Sequence, residues 1–281
     1  MIRDGVTSYP ITDWDDAYAN TRHIPEGSTY PARWDARARA YRDELSAAGR
    51  AKLDLAYGPA PRNRLDLFLP DTRCKGLVVF VHGGFWQAFD KSSWSHLARG
   101  SLESGYAMAM PSYSLCPEAR ISDITKDIAA AIEFASREVQ GRIALCGHSA
   151  GGPLVTRMVC QDSPLSGKTA SKVARTVSIS GLHDLRPLMA TGMNDVLRID
   201  RQEATQESPA LLMPRPGTTV TCWVGADERP EFVRQNRILG DMWRGFDTRM
   251  AIVEEANRHH FNVIDGLAEA AHPLVQALLA S

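Results

Sequence analysis

The run RIALCGHSAGGPLVTRM, residues 142–158, constrains the fold more than any other stretch of the chain. The strand-like run RIALC ends at Cys146, the glycine-rich turn GHSAGG follows, and helix-compatible residues resume at Pro153. A strand can enter a helix this abruptly only where small residues let the backbones pass, and Gly147 and Gly151 stand at those places, with Ser149 at the tip. The G-x-S-x-G spacing in this context makes Ser149 a candidate nucleophile, with His148 bracing the turn. It also implies a sheet whose strand ends carry the functional groups.

The remaining chain fits such a sheet. Short apolar runs at 76–81, 106–110, 142–146, 175–180, 219–224 and 249–254 alternate with helical stretches, as βα units around a mostly parallel buried sheet require. Two earlier runs, 52–57 and 64–69, instead alternate apolar and polar residues around GPAPRN and predict an antiparallel hairpin at the sheet edge. Residues 122–139 place Ile124, Ile128, Ile132 and Ala135 on one helical face. Residues 31–49 do the same with Trp34, Ala38, Tyr41 and Leu45, so the first fifty residues are expected to form a helical arm on the core. The proline-punctuated stretch 185–217 is expected to be an insertion that caps or walls a site. The whole, 1–281, is expected to form a single α/β domain.

Composition narrows the partners. With 32 Lys and Arg against 33 Asp and Glu, a net charge of −1 and no dense basic run, the chain lacks the footprint of a nucleic-acid or membrane-surface binder. A small-molecule substrate is expected instead, and both a monomer and a homodimer stay open. The acidic start, MIRDGVTSYPITDWDD, and the lack of a long apolar run predict a cytoplasmic protein. Five cysteines without CxxC spacing are expected to be reduced and buried. No H-E-x-x-H or similar ligand spacing occurs, so neither a metal nor a cofactor is expected.

A serine hydroxyl attacks only when a base takes its proton and an acid orients that base. In chain order these follow the nucleophile as acid and then histidine. GADERPEF, after the 219–224 run, exposes Asp227 as the candidate acid, with Glu228 its close rival. Asp184 also follows a strand but has a ready use as a turn or helix cap. His259 and His260, after 249–254, are the candidate bases, and spacing does not choose between them.

Attack on a carbonyl builds an oxyanion that needs donors placed in advance. HGGFW, 82–86, follows the third predicted strand, and its glycines allow backbone N–H groups to approach a ligand. Gly83, Gly84 and Ala150 are the candidate donors, and His82 a backbone brace.

HGGFW, GHSAGG, GADERPEF and HHF, together with DAYANTRHIPEGSTYPARW near the amino terminus, resemble the serine-hydrolase kynurenine formamidases (arylformamidases) of the α/β-hydrolase superfamily. The resemblance implies an α/β-hydrolase fold and hydrolysis of N-formyl-L-kynurenine to kynurenine and formate. Its histidine precedes phenylalanine, which selects His260. It also implies that Trp86, and Phe85 beside it, contact the substrate. A small-acyl carboxylesterase of the hormone-sensitive-lipase type shares the triad and the glycine loop and is the enzymatic rival. A non-catalytic binding module on the same fold is the remaining alternative.

Overall fold

The computed structural model describes residues 11–280. The first ten residues of the expected arm, and the acidic start in part, lie outside the described residues.

Eight strands form one sheet in the order β1-β2-β4-β3-β5-β6-β7-β8. They are β1 (Ala51–Ala56), β2 (Arg64–Phe68), β3 (Gly76–Val81), β4 (Ala107–Pro111), β5 (Arg142–His148), β6 (Val173–Ile179), β7 (Thr218–Gly225) and β8 (Thr248–Glu255). β3 to β8 pair in parallel, whereas β2 is antiparallel to both β1 and β4. The parallel centre explains the continuous apolar runs: all six residues of β3 and all five of β4 are buried, because helices cover both faces.

The hairpin at 52–57 and 64–69 forms as expected, but of its two strands only β1 lies at the sheet edge. β2 continues the sheet into β4, and its last four residues are buried, Asp66 among them. Asp66 is accommodated because Lys91 Nζ lies 2.9 Å from its carboxylate.

The helix Tyr30–Ala47 buries Trp34, Ala38, Tyr41 and Leu45, the stripe visible in the sequence. The helix Ile121–Glu138 packs Ile124, Ile128, Ile132 and Ala135 against the opposite face, in the cluster that contains Leu77, Val79 and Val81.

Residues 185–217 are four short helical pieces, from Arg186–Ala190 to Pro209–Leu211. Buried carboxylates hold this excursion down. Glu203 accepts from Arg120 Nε at 2.8 Å, and Glu207 faces Arg157 Nε at 3.3 Å. Four of the five free cysteines are buried, and Cys74 is exposed. Among the described residues, no helix is long and apolar enough to cross a membrane.

Candidate active site

The carboxyl ends of β3, β5, β6 and β7 converge at one edge of the sheet, and the candidate chemistry collects there. β5 runs into Ser149, whose φ of 54° is left-handed, and the helix Gly151–Arg157 follows at once. Such a conformation costs a non-glycine residue about 1–3 kcal/mol. It is held by Ser149 N–H donating to Ile179 O at 2.8 Å and by packing that leaves no room for side chains. A Cβ on Gly147 would stand 2.1 Å from Gly151 O, and one on Gly151 2.1 Å from Val81 O. Those contacts are the physical reason for the G-x-S-x-G spacing.

His260 lies in the loop after β8, 3% exposed, and its Nδ1 donates to Glu228 Oε2 at 2.6 Å. The second carboxylate oxygen accepts from Ser180 Oγ at 2.5 Å and from Gly225 N–H at 2.8 Å. A fully buried carboxylate is thus met by three donors, which fixes the imidazole with Nδ1 protonated and Nε2 free to accept. His148 Nε2 donates to His260 O at 2.9 Å and steadies the loop from the elbow side. Burial holds His148 well below the usual histidine range, so it acts there as a neutral donor.

The expected acid, Asp227, is corrected by this geometry: it is exposed, and Glu228 occupies the acid position. The cause is the turn that ends β7. Glu228 N–H returns to Gly225 O at 3.2 Å, while Ala226 N–H and Asp227 N–H are tied to Glu255 O and Arg258 O. With the backbone so pinned, residue 227 faces solvent and residue 228 faces His260. Asp184 has the dull role anticipated, capping Arg186 N–H at 3.1 Å and pairing with its guanidinium. His259 is excluded as the base, since its Nε2 meets Tyr30 OH at 3.1 Å.

Ser149 Oγ makes no hydrogen bond to His260 here, although both side chains open on one cavity. Nucleophile–base contacts are often long before substrate binds.

Gly83 and Gly84 line the same cavity as Ser149. Gly83 lies so close that a Cβ there would stand 2.9 Å from Ser149 Cβ, and Gly84 adopts φ +110°. Among the described residues, no backbone carbonyl accepts from the N–H groups of Gly83, Gly84 or Ala150. His82 braces this loop: its Nδ1 donates to Gly83 O at 2.7 Å, and its ring stacks on Tyr113, whose hydroxyl donates to His82 O at 2.9 Å. Burial pushes His82 down to about 4.

The two aromatics that follow part company. Phe85 and Trp86 both have positive φ, 49° and 57°. Phe85 lines the cavity. Trp86 is fully buried in the core with Val81 and Tyr113, so its expected substrate contact is corrected to a packing role.

The cavity measures about 570 Å³, and half of the residues lining it come from 15–34 of the arm. Its belt is aromatic, with Trp34, Phe85, Phe89, Trp94 and Phe261. The sequence had pointed to 185–217 as the wall, but only Met193 of that stretch lines the cavity. The arm is fastened where it counts. Tyr18 OH donates to Glu231 Oε1 at 2.8 Å, Gly192 N–H donates to Asp15 Oδ1 at 2.8 Å, and Asp16 pairs with Arg229, next to Glu228. Among the described residues, no group of three or more His, Cys, Asp or Glu side chains could hold a metal ion.

Comparison with known proteins adds the relatives. Residues 65–222 match the BD-FAE family model. Kynurenine formamidase from Danio rerio is 26% identical over 273 residues, covering 89% of this chain and 92% of that protein. An isoprenylcysteine α-carbonyl methylesterase from Arabidopsis thaliana is 32% identical but covers 48% of this chain and 35% of its own length. A Silicibacter sp. TM1040 crystal structure, provisionally described as a thioesterase, is 47% identical with a TM-score of 0.91 over 95% of this chain and 99% of that one. The carboxylesterase EstE1, from a metagenomic library, is 18% identical with a TM-score of 0.64, over 88% of this chain and 97% of its own; it shares the fold.

Proposed function

The chain belongs to the BD-FAE family, on an α/β-hydrolase fold, and from that footing we infer that this hydrolase cleaves an aryl formamide, N-formyl-L-kynurenine, to kynurenine and formate. The observation that carries the formamide over the methylesterase's ester is length of match. Kynurenine formamidase corresponds over 89% of the chain, whereas the methylesterase corresponds over 48%.

His260 Nε2 takes the Ser149 proton as Oγ attacks the formyl carbon. Glu228 stabilises the imidazolium that forms, as an oriented buried carboxylate does in other serine hydrolases. The N–H groups of Ala150 and of the Gly83–Gly84 loop meet the oxyanion, where losing one donor costs roughly 10²- to 10³-fold. His260 then gives its proton to the departing aryl nitrogen. A water, deprotonated by the same histidine, releases formate from the formyl-serine. The aromatic belt, with Phe85 beside the glycine loop, is where an aryl ring would rest. No step calls for a cofactor, and the setting is a cytoplasmic one in tryptophan catabolism.

A second reading has support in the EstE1-like fold and the Silicibacter relative: cleavage of small-acyl esters or thioesters by the same groups. The test is kcat/KM for N-formyl-L-kynurenine beside that for p-nitrophenyl acetate and a short acyl thioester. The formamide is expected to be the better substrate. An ester or thioester preference of about a hundredfold, worth roughly 2.7 kcal/mol in the barrier, would favour the second reading.

A further inference from the structure

We propose that the amino-terminal arm reads a zwitterionic α-amino-acid tail on the substrate's leaving group, with Arg22 facing the carboxylate and Asp15 and Asn20 facing the ammonium. The proposal rests on the aryl-formamide reading for the reacting end of the cavity and adds what recognises the other end.

The cavity divides by chemistry. Ser149 and His260 lie on the sheet side and the rings make up the middle, while the arm supplies charge and polarity: Asp15, Asn20, Thr21, Arg22 and Ser28. An acid and a base together in a lining that is otherwise largely apolar suit a ligand group bearing both signs, and suit a neutral or singly charged one less well.

Two details sharpen the assignment. Asn20 is only 6% exposed, and its Oδ1 has no partner among the described residues, which is an uncommon state for a buried acceptor. An ammonium donor would satisfy it. Arg22 pairs with Asp16 at 2.5 Å, but Asp16 is shared with His23 at 2.8 Å and with Arg229. One carboxylate therefore serves two guanidinium groups, so Arg22 is only partly neutralised and retains donors for a ligand carboxylate.

The arm also has a fixed position, as a recognition wall needs. Tyr18, Asp15 and Asp16 bond to Glu231, Gly192 and Arg229, and Tyr30 to His259. Binding groups set in a rigid wall lose little entropy when a ligand arrives.

The experiment compares full-length wild type, Arg22→Ala, Arg22→Lys and Asp15→Asn on two aryl formamides, N-formyl-L-kynurenine and formanilide, which lacks the tail. If no formamide turns over, the formamide reading fails by itself. The same comparison then runs on O-acetyl-L-ortho-tyrosine and o-tolyl acetate, an ester pair that differ by an α-amino-carboxylate ortho to the reacting group. Wild type is expected to prefer the tailed member. Arg22→Ala should lower kcat/KM for that member about tenfold or more beyond any loss on the untailed one, chiefly through KM. Arg22→Lys should recover part of the difference, and Asp15→Asn should move the ratio the same way as Arg22→Ala. Equal losses on both members, or a wild type indifferent to the tail, would overturn the proposal.

Discussion

Glu228 Oε2 accepts a hydrogen bond from His260 Nδ1 at 2.6 Å, and the neighbouring Asp227 stands in solvent. The two carboxylates are one residue apart on the same turn, so the acid of the site follows from backbone direction alone. Glu228→Gln is expected to lower kcat by roughly 10⁴-fold, as loss of the orienting carboxylate does in serine proteases. Asp227→Asn, an exposed change, should leave activity within about twofold. Steady-state kinetics on both variants checks this, and the reverse pattern would return the role to Asp227.

The same loop separates the two histidines. His260→Ala removes the base and should cost roughly 10⁴-fold or more. His259→Ala loses the Tyr30 hydrogen bond, which fastens the arm, and should act mainly through KM. A kcat loss for His259→Ala equal to that for His260→Ala would show that both groups enter the chemistry.

Phe85 and Trp86 should differ in kind. Trp86→Ala empties a fully buried site and is expected to destabilise the fold by about 3–5 kcal/mol, read as a large drop in Tm. Phe85→Ala, on the cavity wall, should change kcat/KM for aryl substrates while Tm moves little. A Tm loss for Phe85→Ala matching that of Trp86→Ala would make both of them packing residues.

Stability should fall on mild acidification. Burial pushes His82 down to about 4 and His96 and His183 down to about 3, so the folded chain refuses protons that the unfolded chain takes up near 6.5. Their stabilising contribution is complete above pH 6.5 and is lost as pH falls toward 4, by up to about 1.4 kcal/mol per pH unit for each. Urea unfolding at pH 7 and pH 5 should show a lower midpoint at pH 5. His96→Phe, which replaces a ring with no hydrogen bond at either nitrogen among the described residues, should flatten that dependence. An unchanged midpoint would mean that these rings titrate normally.

Most of the fold, and the sharp strand-to-helix turn at Ser149, were legible because they rest on local rules. Apolar runs marked the parallel strands, the Trp34–Leu45 stripe marked the arm helix, and the glycines of the elbow and of HGGFW marked close backbone approach. What escaped depends on direction or on distant contacts. Asp227 and Glu228 share a turn, and only the pinning of that turn to Glu255 and Arg258 decides which side chain points inward. Ser180, which holds Glu228, was one more small residue at a strand end. The arm's place over the cavity follows from pairs such as Tyr18 with Glu231, 213 residues apart, which leave no periodic trace. Trp86 was assigned by resemblance, and two consecutive left-handed residues send it into the core instead.

The central claim is that Ser149, served by His260 and Glu228, hydrolyses an aryl formamide. Formate release from N-formyl-L-kynurenine by wild type and by Ser149→Ala, with Tm recorded for both, tests it most directly. The expected result is turnover by wild type and a loss of roughly 10⁴-fold or more in Ser149→Ala at an unchanged Tm. Formate release by a folded Ser149→Ala protein at near the wild-type rate would contradict it.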